Sequence, residues 1–194
     1  AGRILDVSST AIRQGDSFDT SPQVLSYMME RGLYLEEMLS SHLSKKRYEH
    51  VLRVTDLALE IGEIHGLDKH KLYLSAMYHD RYREMDFSQS RKRVSKSWRE
   101  MTSPAFDHAY LAADSLSRYF YVKDRDVLSA ILHHVDGKAQ NPYAMVLYIA
   151  DKCERGRPYD SEPLINEAKQ SLISGYQAVK KSQQAYLRRQ YDGK

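Results

Sequence analysis

An apolar segment that ends in a histidine and an aspartate constrains the fold of this chain most strongly. Residues 72–78 are mostly apolar, and His79 and Asp80 follow them directly. Such a segment predicts a buried helix, which would carry both polar side chains into the interior. A buried carboxylate costs free energy unless a hydrogen bond or a cation compensates its charge. The chain must therefore supply a partner for Asp80, and either a structural hydrogen bond or a metal ion would serve.

Helical spacing of apolar residues continues along most of the chain. Over 45–65, for example, His50, Val54 and Leu57 recur at the spacing of one helix face. Capping residues and helix breakers predict the starts of later helices near Asp68, Pro104, Asp124, Asn141 and Ser161, the last helix being about 25 residues long. The polar, basic stretch 81–103 predicts a loop or a partly helical flap. The sequence therefore predicts an all-α fold in the form of a helical bundle.

The first 43 residues differ in pattern from the rest. Residues 3–7 predict a short strand, although no later segment predicts a strand with which it could pair. A short helix is predicted between Pro22 and Gly32, with proline near its start and glycine at its end. We therefore divide the chain into a short N-terminal appendage with its connector, 1–43, and a helical domain, 44–194.

The composition indicates the cellular compartment and the classes of partner that the protein binds. The net charge of +3 is too small to indicate a nucleic-acid partner. Cys153 is the only cysteine, which excludes an internal disulfide and favours a cytoplasmic protein. No apolar run approaches the ~20 residues of a membrane span. We therefore expect neither a nucleic-acid partner nor a membrane partner.

Six polar side chains fall on inward-facing positions of five predicted helices. They are His50, His79, Asp80, His108, His134 and Asp151. One buried histidine is usually satisfied by hydrogen bonds, but helical bundles build metal sites from side chains on facing helices. Six donors would serve two metal ions, with Asp80 placed to bridge them, and imidazole with carboxylate suits iron, manganese or zinc. Two adjacent ions can activate a water and stabilise an in-line displacement at phosphorus.

His133 competes with His134 for a place in this ligand set. The residues three and seven positions before His133 are Ala130 and Asp126. These residues give His133 a more polar helix face than His134 has, and we therefore favour His134.

Three cationic residues follow the ends of helices that carry predicted ligands. They are Arg83, Lys138 and Arg157. Cations in such positions can converge on phosphate groups and hold the charge that develops as a phosphate bond breaks. We predict that all three bind substrate and that Arg83, with Asp80, is also catalytic. The alternative for each cation is a solvated surface charge.

The order of the predicted ligands resembles that of the HD-domain phosphohydrolases, whose pattern is His…His-Asp…Asp with extra histidines in the two-metal members. More narrowly, residues 46–54, 66–68, 134–138 and 149–151 look like the YqeK-type branch of that family. The resemblance covers roughly residues 45–190. It implies a di-iron centre and symmetrical hydrolysis of diadenosine tetraphosphate to two ADP. The oligomeric state is not implied, and a homodimer is one alternative.

The start of the chain resembles a second family. Residues 7–13, 24–27 and 32–34 look like the C-terminal end of bacterial nicotinate mononucleotide adenylyltransferases, in which a Ser-Ser-Thr-x-Ile-Arg turn helps to bind ATP phosphates. The nucleotide-binding half of that family is absent from this sequence. The resemblance therefore implies a remnant of a fused protein, whose N-terminal nucleotidyltransferase domain is missing here, and it predicts no transferase activity. A chance Ser/Thr-rich helix cap is the alternative.

Three segments depart from the usual pattern of the branch. They are Arg81-Tyr82-Arg83, His134-Val135-Asp136-Gly137 and Glu154-Arg155-Gly156-Arg157. The predicted ligands are intact, so the departures affect the identity of the substrate more than hydrolysis. We predict a phosphoric anhydride hydrolase that cleaves diadenosine tetraphosphate to two ADP. The alternatives are a hydrolase of other nucleotides and a non-catalytic nucleotide-sensing module fused to an adenylyltransferase.

Overall fold

The computed structural model describes residues 8–138 and 141–192, with side chains up to residue 189. These residues form twelve α-helices and one 3-10 helix, without a strand. The α-helices are α1 Ser9–Gln14, α2 Pro22–Glu30, α3 Leu35–Ser40, α4 Lys45–Ile64, α5 Lys69–Tyr78, α6 Phe87–Arg93, α7 Lys96–Met101, α8 Asp107–Arg118, α9 Arg125–His133, α10 Pro142–Cys153, α11 Glu162–Gln170 and α12 Leu172–Asp192, and the 3-10 helix is Pro104–Phe106. The predicted all-α bundle is confirmed. The strand predicted over residues 3–7 lies outside the described residues.

Capping side chains begin the helices that carry the site, as the sequence predicts. Asp68, Asp124 and Asn141 each accept hydrogen bonds from backbone N–H groups in the first turn of α5, α9 and α10. Ser44 caps α4 in the same way, and its own N–H and hydroxyl donate to Glu84 at 2.7 and 2.6 Å. The start of α4 is therefore fixed to the segment that follows Asp80.

The basic stretch after Asp80 is partly helical, which is one of the two predicted alternatives, whereas the last helix differs from the prediction. The basic stretch after Asp80 contains two short helices, α6 and α7. The predicted 25-residue final helix is wrong, because an extended backbone at Ser171 separates α11 from α12. After this break α12 packs back against α11, so closely that a Cβ atom on Gly175 would lie 2.3 Å from the Cα atom of Ala168.

The buried side chains form two apolar clusters. The first joins α1, α2 and α3 to α5 and α8; its members include Leu25, Met29, Leu39, Met77, Leu116 and Phe120. The second joins α4 and α5 to α9, α10, α11 and α12; its members include Leu57, Ile61, Leu72, Leu147 and Val179. The N-terminal helices thus share a core with the bundle, and the division at residues 43 and 44 stays a prediction. None of the described helices combines the length and apolarity needed to cross a membrane.

Candidate metal centre

The end of α5 delivers His79 and Asp80 into the interior, where 0% and 2% of their surfaces are exposed. The Nδ1 atom of His79 lies 2.6 Å from the carbonyl oxygen of Ala76, to which it donates its proton. The other ring nitrogen, Nε2, is therefore unprotonated, and it is buried without a hydrogen-bond partner. An unpaired, buried imidazole nitrogen is costly in an apolar core but suits a metal ligand.

Four other elements bring the remaining predicted ligands to the same place. His50 lies on α4, His108 on α8, His134 directly after α9 and Asp151 on α10, and all four are buried. The six side chains divide into two groups around Asp80. Two sets of three have ligand atoms close enough to hold a metal ion, namely His50, His79 and Asp151, and His79, Asp80 and His134, so that His79 belongs to both sets.

The first group faces one carboxylate oxygen of Asp80. The Oδ2 atom of Asp80 lies 3.8 Å from Nε2 of His50 and 3.7 Å from Nε2 of His79. Asp151 completes the group, because its Oδ1 atom lies 3.2 and 3.9 Å from the same two ring nitrogens. Two carboxylates and two imidazoles therefore surround one point.

The second group faces the other oxygen of Asp80. Its Oδ1 atom lies 3.4 Å from Nε2 of His108 and 3.6 Å from Nε2 of His134. These two ring nitrogens are themselves 3.2 Å apart. The carboxylate of Asp80 thus lies between two imidazole pairs, with one oxygen toward each.

The tautomers of the histidines support metal binding. The Nδ1 atom of His134 donates to the carbonyl oxygen of Ile131 at 2.6 Å, and that of His50 donates to Glu154 at 3.1 Å. A hydrogen bond from Nδ1 orients the ring and leaves Nε2 free to bind a metal. In His50 the Nε2 lone pair then faces the carboxylate of Asp151 at 3.2 Å, where a metal cation would be attracted to both groups. The donor set fits divalent metal ions and does not distinguish iron, manganese and zinc.

Burial keeps two histidines of the centre, His79 and His108, neutral. It lowers the pKa of His79 to about 4 and that of His108 to about 3. Neutral imidazole is the form that binds metal. For Asp80, burial raises the pKa, but His79 and His134 outweigh it and hold the pKa well below its usual range. In Asp151 the cation of Lys152 likewise outweighs burial and keeps the pKa low.

These pKa shifts predict that the metal-free protein loses stability as the pH falls from 6.5 to about 4. Below the ordinary histidine pKa near 6.5, the unfolded chain takes up protons that His79 and His108 resist in the folded chain. The unfolded state then binds more protons, so the free energy of unfolding rises with pH in this window. Denaturant titrations in a chelator at several pH values measure the slope.

Matched variants identify the source of that slope. His108→Asn should make it smaller, whereas His70→Asn should leave it unchanged, because His70 is exposed at the start of α5. A metal-free protein whose stability does not change between pH 6.5 and 4 would contradict the prediction.

A buried glutamate that sequence reasoning missed supports the centre. Glu154 is 2% exposed and accepts hydrogen bonds from Nδ1 of His50 at 3.1 Å and from Nε of Arg53 at 2.6 Å. Its pKa is held low, since Arg53 and His50 outweigh the effect of burial. The sequence contains a signal for this role. Glu154 follows Asp151 by three residues at the end of α10, and residues with this spacing lie on the same helix face.

An open cavity of about 690 Å³ leads to the centre. Its lining includes Asp80, His108, His134 and Asp151, together with the cations Arg47, Arg83, Lys152, Arg157 and Arg189. Two predicted phosphate-binding residues, Arg83 and Arg157, therefore face the cavity. Arg157 also donates from Nε to the carbonyl oxygen of Asp151 at 3.2 Å.

The third predicted cation does not face the cavity, which corrects the sequence-based prediction for Lys138. Lys138 is exposed and does not line the cavity, because the chain turns at Gly137, where φ is 62°. Three cations that were not predicted, Arg47, Lys152 and Arg189, lie there instead. Arg47 pairs with Oδ2 of Asp80 at 2.9 Å, and Lys152 pairs with Oδ2 of Asp151 at 2.6 Å.

The two neighbouring histidines at the end of α9 have different surroundings. His134 is 1% exposed, and its Nε2 atom faces the centre. The side chain of His133 is 26% exposed, and its Nδ1 atom lies 3.1 Å from Oδ1 of Asp136. The geometry therefore agrees with the preference for His134.

Comparisons with known proteins agree with this geometry. The family model described as the HD domain matches residues 47–156. A probable nicotinate-nucleotide adenylyltransferase/Ap4A hydrolase of Mycoplasma genitalium is 28% identical over 163 residues, which cover 79% of this chain and 47% of that protein. The chain thus spans about half the length of this relative. A symmetrical bis(5'-nucleosyl)-tetraphosphatase of Bacillus subtilis is 29% identical over 127 residues, 62% of this chain and 68% of that protein.

A solved structure shares the fold. The crystal structure of a predicted HD superfamily hydrolase involved in NAD metabolism, from Clostridium acetobutylicum, superposes with a TM-score of 0.65 at 23% identity. The match covers 73% of this chain and 78% of that one. Because the family model spans more than half of the sequence and the helical fold agrees, the chain belongs to the HD domain family.

Proposed function

We propose that this chain is a metal-dependent phosphoric anhydride hydrolase, and that it cleaves diadenosine tetraphosphate to two ADP. The observation that carries the proposal is the position of Asp80, whose two oxygens face separate imidazole pairs at 3.4 to 3.8 Å beside a cationic cavity. The choice of substrate is supported by relatives named Ap4A hydrolase or symmetrical tetraphosphatase.

The proposed ligands divide between two metal ions. His50, His79 and Asp151 would hold one ion, His108 and His134 would hold the other, and Asp80 would bridge the two. Two ions held in this way supply an activated water and neutralise the charge that develops at phosphorus. The side chain of Glu154 would hold the ring of His50 in the orientation that ligation needs.

The cations of the cavity are proposed to bind the polyphosphate chain. Arg83 and Arg157 line the cavity and would bind phosphate oxygens directly. Without metal ions, Arg47 pairs with Asp80 and Lys152 pairs with Asp151. Bound metal ions would neutralise these carboxylates instead, and the two cations could then donate hydrogen bonds to phosphate. We propose Arg83 as the residue that holds negative charge during the reaction, with Asp80 as the bridging catalytic carboxylate.

Three finer assignments are part of the proposal. Iron is the proposed metal, on the resemblance to the YqeK-type branch, and the imidazole and carboxylate donors are compatible with it. Residues 1–43 are proposed to be the remnant of a nucleotidyltransferase, in line with the Mycoplasma relatives, whose names combine both activities. A cytoplasmic setting is supported by the single cysteine, Cys153, which is buried and unpaired.

The products of hydrolysis test the proposed function. The metal-loaded chain is incubated with diadenosine tetraphosphate, and the nucleotides are separated by chromatography. We expect ADP as the only product, because water that attacks an inner phosphorus atom and breaks its bond to the central bridging oxygen releases one ADP and leaves a second. Equal amounts of ATP and AMP would contradict symmetrical cleavage. An absence of turnover, with metal content verified, would overturn the proposed function.

A further inference from the structure

One face of α12 forms a wall of the cavity. Ser182, Tyr186 and Arg189 recur at the spacing of a helix face and line the cavity with Gln183. The first half of the helix is fixed, because Tyr176 and Val179 are buried in the second apolar cluster. The hydroxyl of Tyr176 also donates a hydrogen bond to the carbonyl oxygen of Gly137. The described remainder of α12 is thus held beside the cavity.

A second aromatic ring lines the cavity from the segment after α10. The hydroxyl of Tyr159 donates a hydrogen bond to the carbonyl oxygen of Lys152, which restrains the ring. Even so, 45% of Tyr159 and 57% of Tyr186 are exposed. Tyrosines give large, rigid faces for stacking at little cost in side-chain entropy. Two exposed rings in one concave site therefore offer a surface to a flat ligand group.

The lining of the cavity combines two kinds of chemistry. Carboxylates, imidazoles and cations suit metal ions and phosphate groups, whereas the rings of Tyr159 and Tyr186 add flat apolar faces that suit neither. A nucleobase has flat faces that stack on aromatic rings and an edge of hydrogen-bond donors and acceptors, which an amide can contact. The volume of about 690 Å³ falls in the range of cavities that hold small-molecule ligands.

We propose that Tyr186, together with Tyr159 and Gln183, forms the nucleobase-binding part of the cavity. The tyrosine rings stack on the base, and the amide of Gln183 contacts its edge. This inference rests on the proposed function in one respect, namely that the ligand carries phosphate groups joined to a nucleoside. According to this inference, these three residues make the protein bind a nucleotide more tightly than a phosphate chain without a base.

Binding of two matched probes tests the proposal. Calorimetry measures the affinities of ADP and of inorganic pyrophosphate for the metal-loaded full chain, since the two probes share a diphosphate and differ in the nucleoside. For the wild type we expect tighter binding of ADP. Tyr186→Ala should weaken ADP binding about tenfold and change pyrophosphate binding less than about twofold, because loss of a stacking partner affects only the base. Tyr186→Phe keeps the ring and should retain ADP affinity within about threefold.

The controls separate the proposal from a general loss of structure and from the proposed reaction. Tyr27→Ala removes a tyrosine that is 52% exposed outside this cavity, and both affinities should stay unchanged. The proposal is overturned if the wild type binds ADP no more tightly than pyrophosphate, or if Tyr186→Ala weakens neither probe or both equally. If ADP binding follows the expected pattern while diadenosine tetraphosphate is not cleaved, the base site stands and the proposed function falls.

Discussion

Replacing Asp80 with asparagine or alanine should lower the rate of hydrolysis about a thousandfold and reduce the bound metal to less than one ion per chain. The two carboxylate oxygens lie within 3.4 to 3.8 Å of four imidazole nitrogens, so one substitution removes an anionic donor from both groups. A thousandfold loss corresponds to about 4 kcal/mol of activation free energy. Elemental analysis and initial rates measure the two effects.

Two variants separate the loss of a metal ligand from a general loss of structure. The asparagine variant keeps the shape of the side chain, so a folded variant without metal separates ligation from packing. Asp56→Ala removes an exposed carboxylate from α4 and should leave both the metal content and the rate unchanged. A Asp80→Asn protein that retains two ions per chain would show that Asp80 does not bridge them.

Replacing Glu154 should weaken metal binding about ten- to hundredfold without abolishing it. Glu154 contacts the ring of His50 on the side away from the centre and does not itself face Asp80. In Glu154→Ala the Nδ1–H of His50 and the guanidinium of Arg53 lose their shared acceptor, so the ring is no longer held in one orientation. Activity lost at low metal concentration should return when metal is added.

The rescue by metal distinguishes a positioning residue from a ligand. Glu154→Gln can still accept a hydrogen bond from His50, so its effect should be smaller than that of the alanine variant. Glu63→Ala, which removes an exposed glutamate from α4, serves as the control. Metal affinity that is unchanged in Glu154→Ala, or activity that saturating metal does not restore, would contradict the positioning role.

Local signals in the sequence predict most of the helices. Asp68, Asp124 and Asn141 each begin a helix through hydrogen bonds within a single turn, so a short stretch of sequence contains the required information. The start of α12 after the break at Ser171 has a similar local signal, because the hydroxyl of Ser171 accepts a hydrogen bond from the backbone N–H of Ser174. The break accompanies the packing of Gly175 on Ala168, a contact between two helices that periodicity cannot reveal.

The candidate ligands were easier to predict than the cations. A histidine on an apolar helix face is directed inward by its neighbours, as His50 and His108 illustrate. The position of a cationic side chain after a helix end depends on the path of the loop. Lys138 follows the turn at Gly137, and its predicted position in the cavity was therefore wrong. Arg47 precedes its partner Asp80 by 33 residues, and their ion pair exists only because α4 and α5 pack together.

The N-terminal helices illustrate a further limit of sequence patterns. A change in residue pattern predicts an appendage over 1–43, but Leu25, Met29 and Leu39 are buried in the same cluster as Phe120. The residue pattern therefore indicates where this segment differs from the rest of the sequence, whereas its packing shows that it belongs to the same core. A boundary based on sequence resemblance stays a proposal about origin, whereas the shared core indicates that α2 and α3 contribute to the stability of the bundle.

Anomalous diffraction from a crystal of the metal-loaded protein tests the central claim most directly. We expect two metal peaks on opposite sides of the Asp80 carboxylate. One should lie beside His50, His79 and Asp151, and the other beside His108 and His134. Data collected on both sides of an absorption edge would also identify the element. A single peak in one group, or metal bound elsewhere while both groups stay empty, would contradict a centre bridged by Asp80.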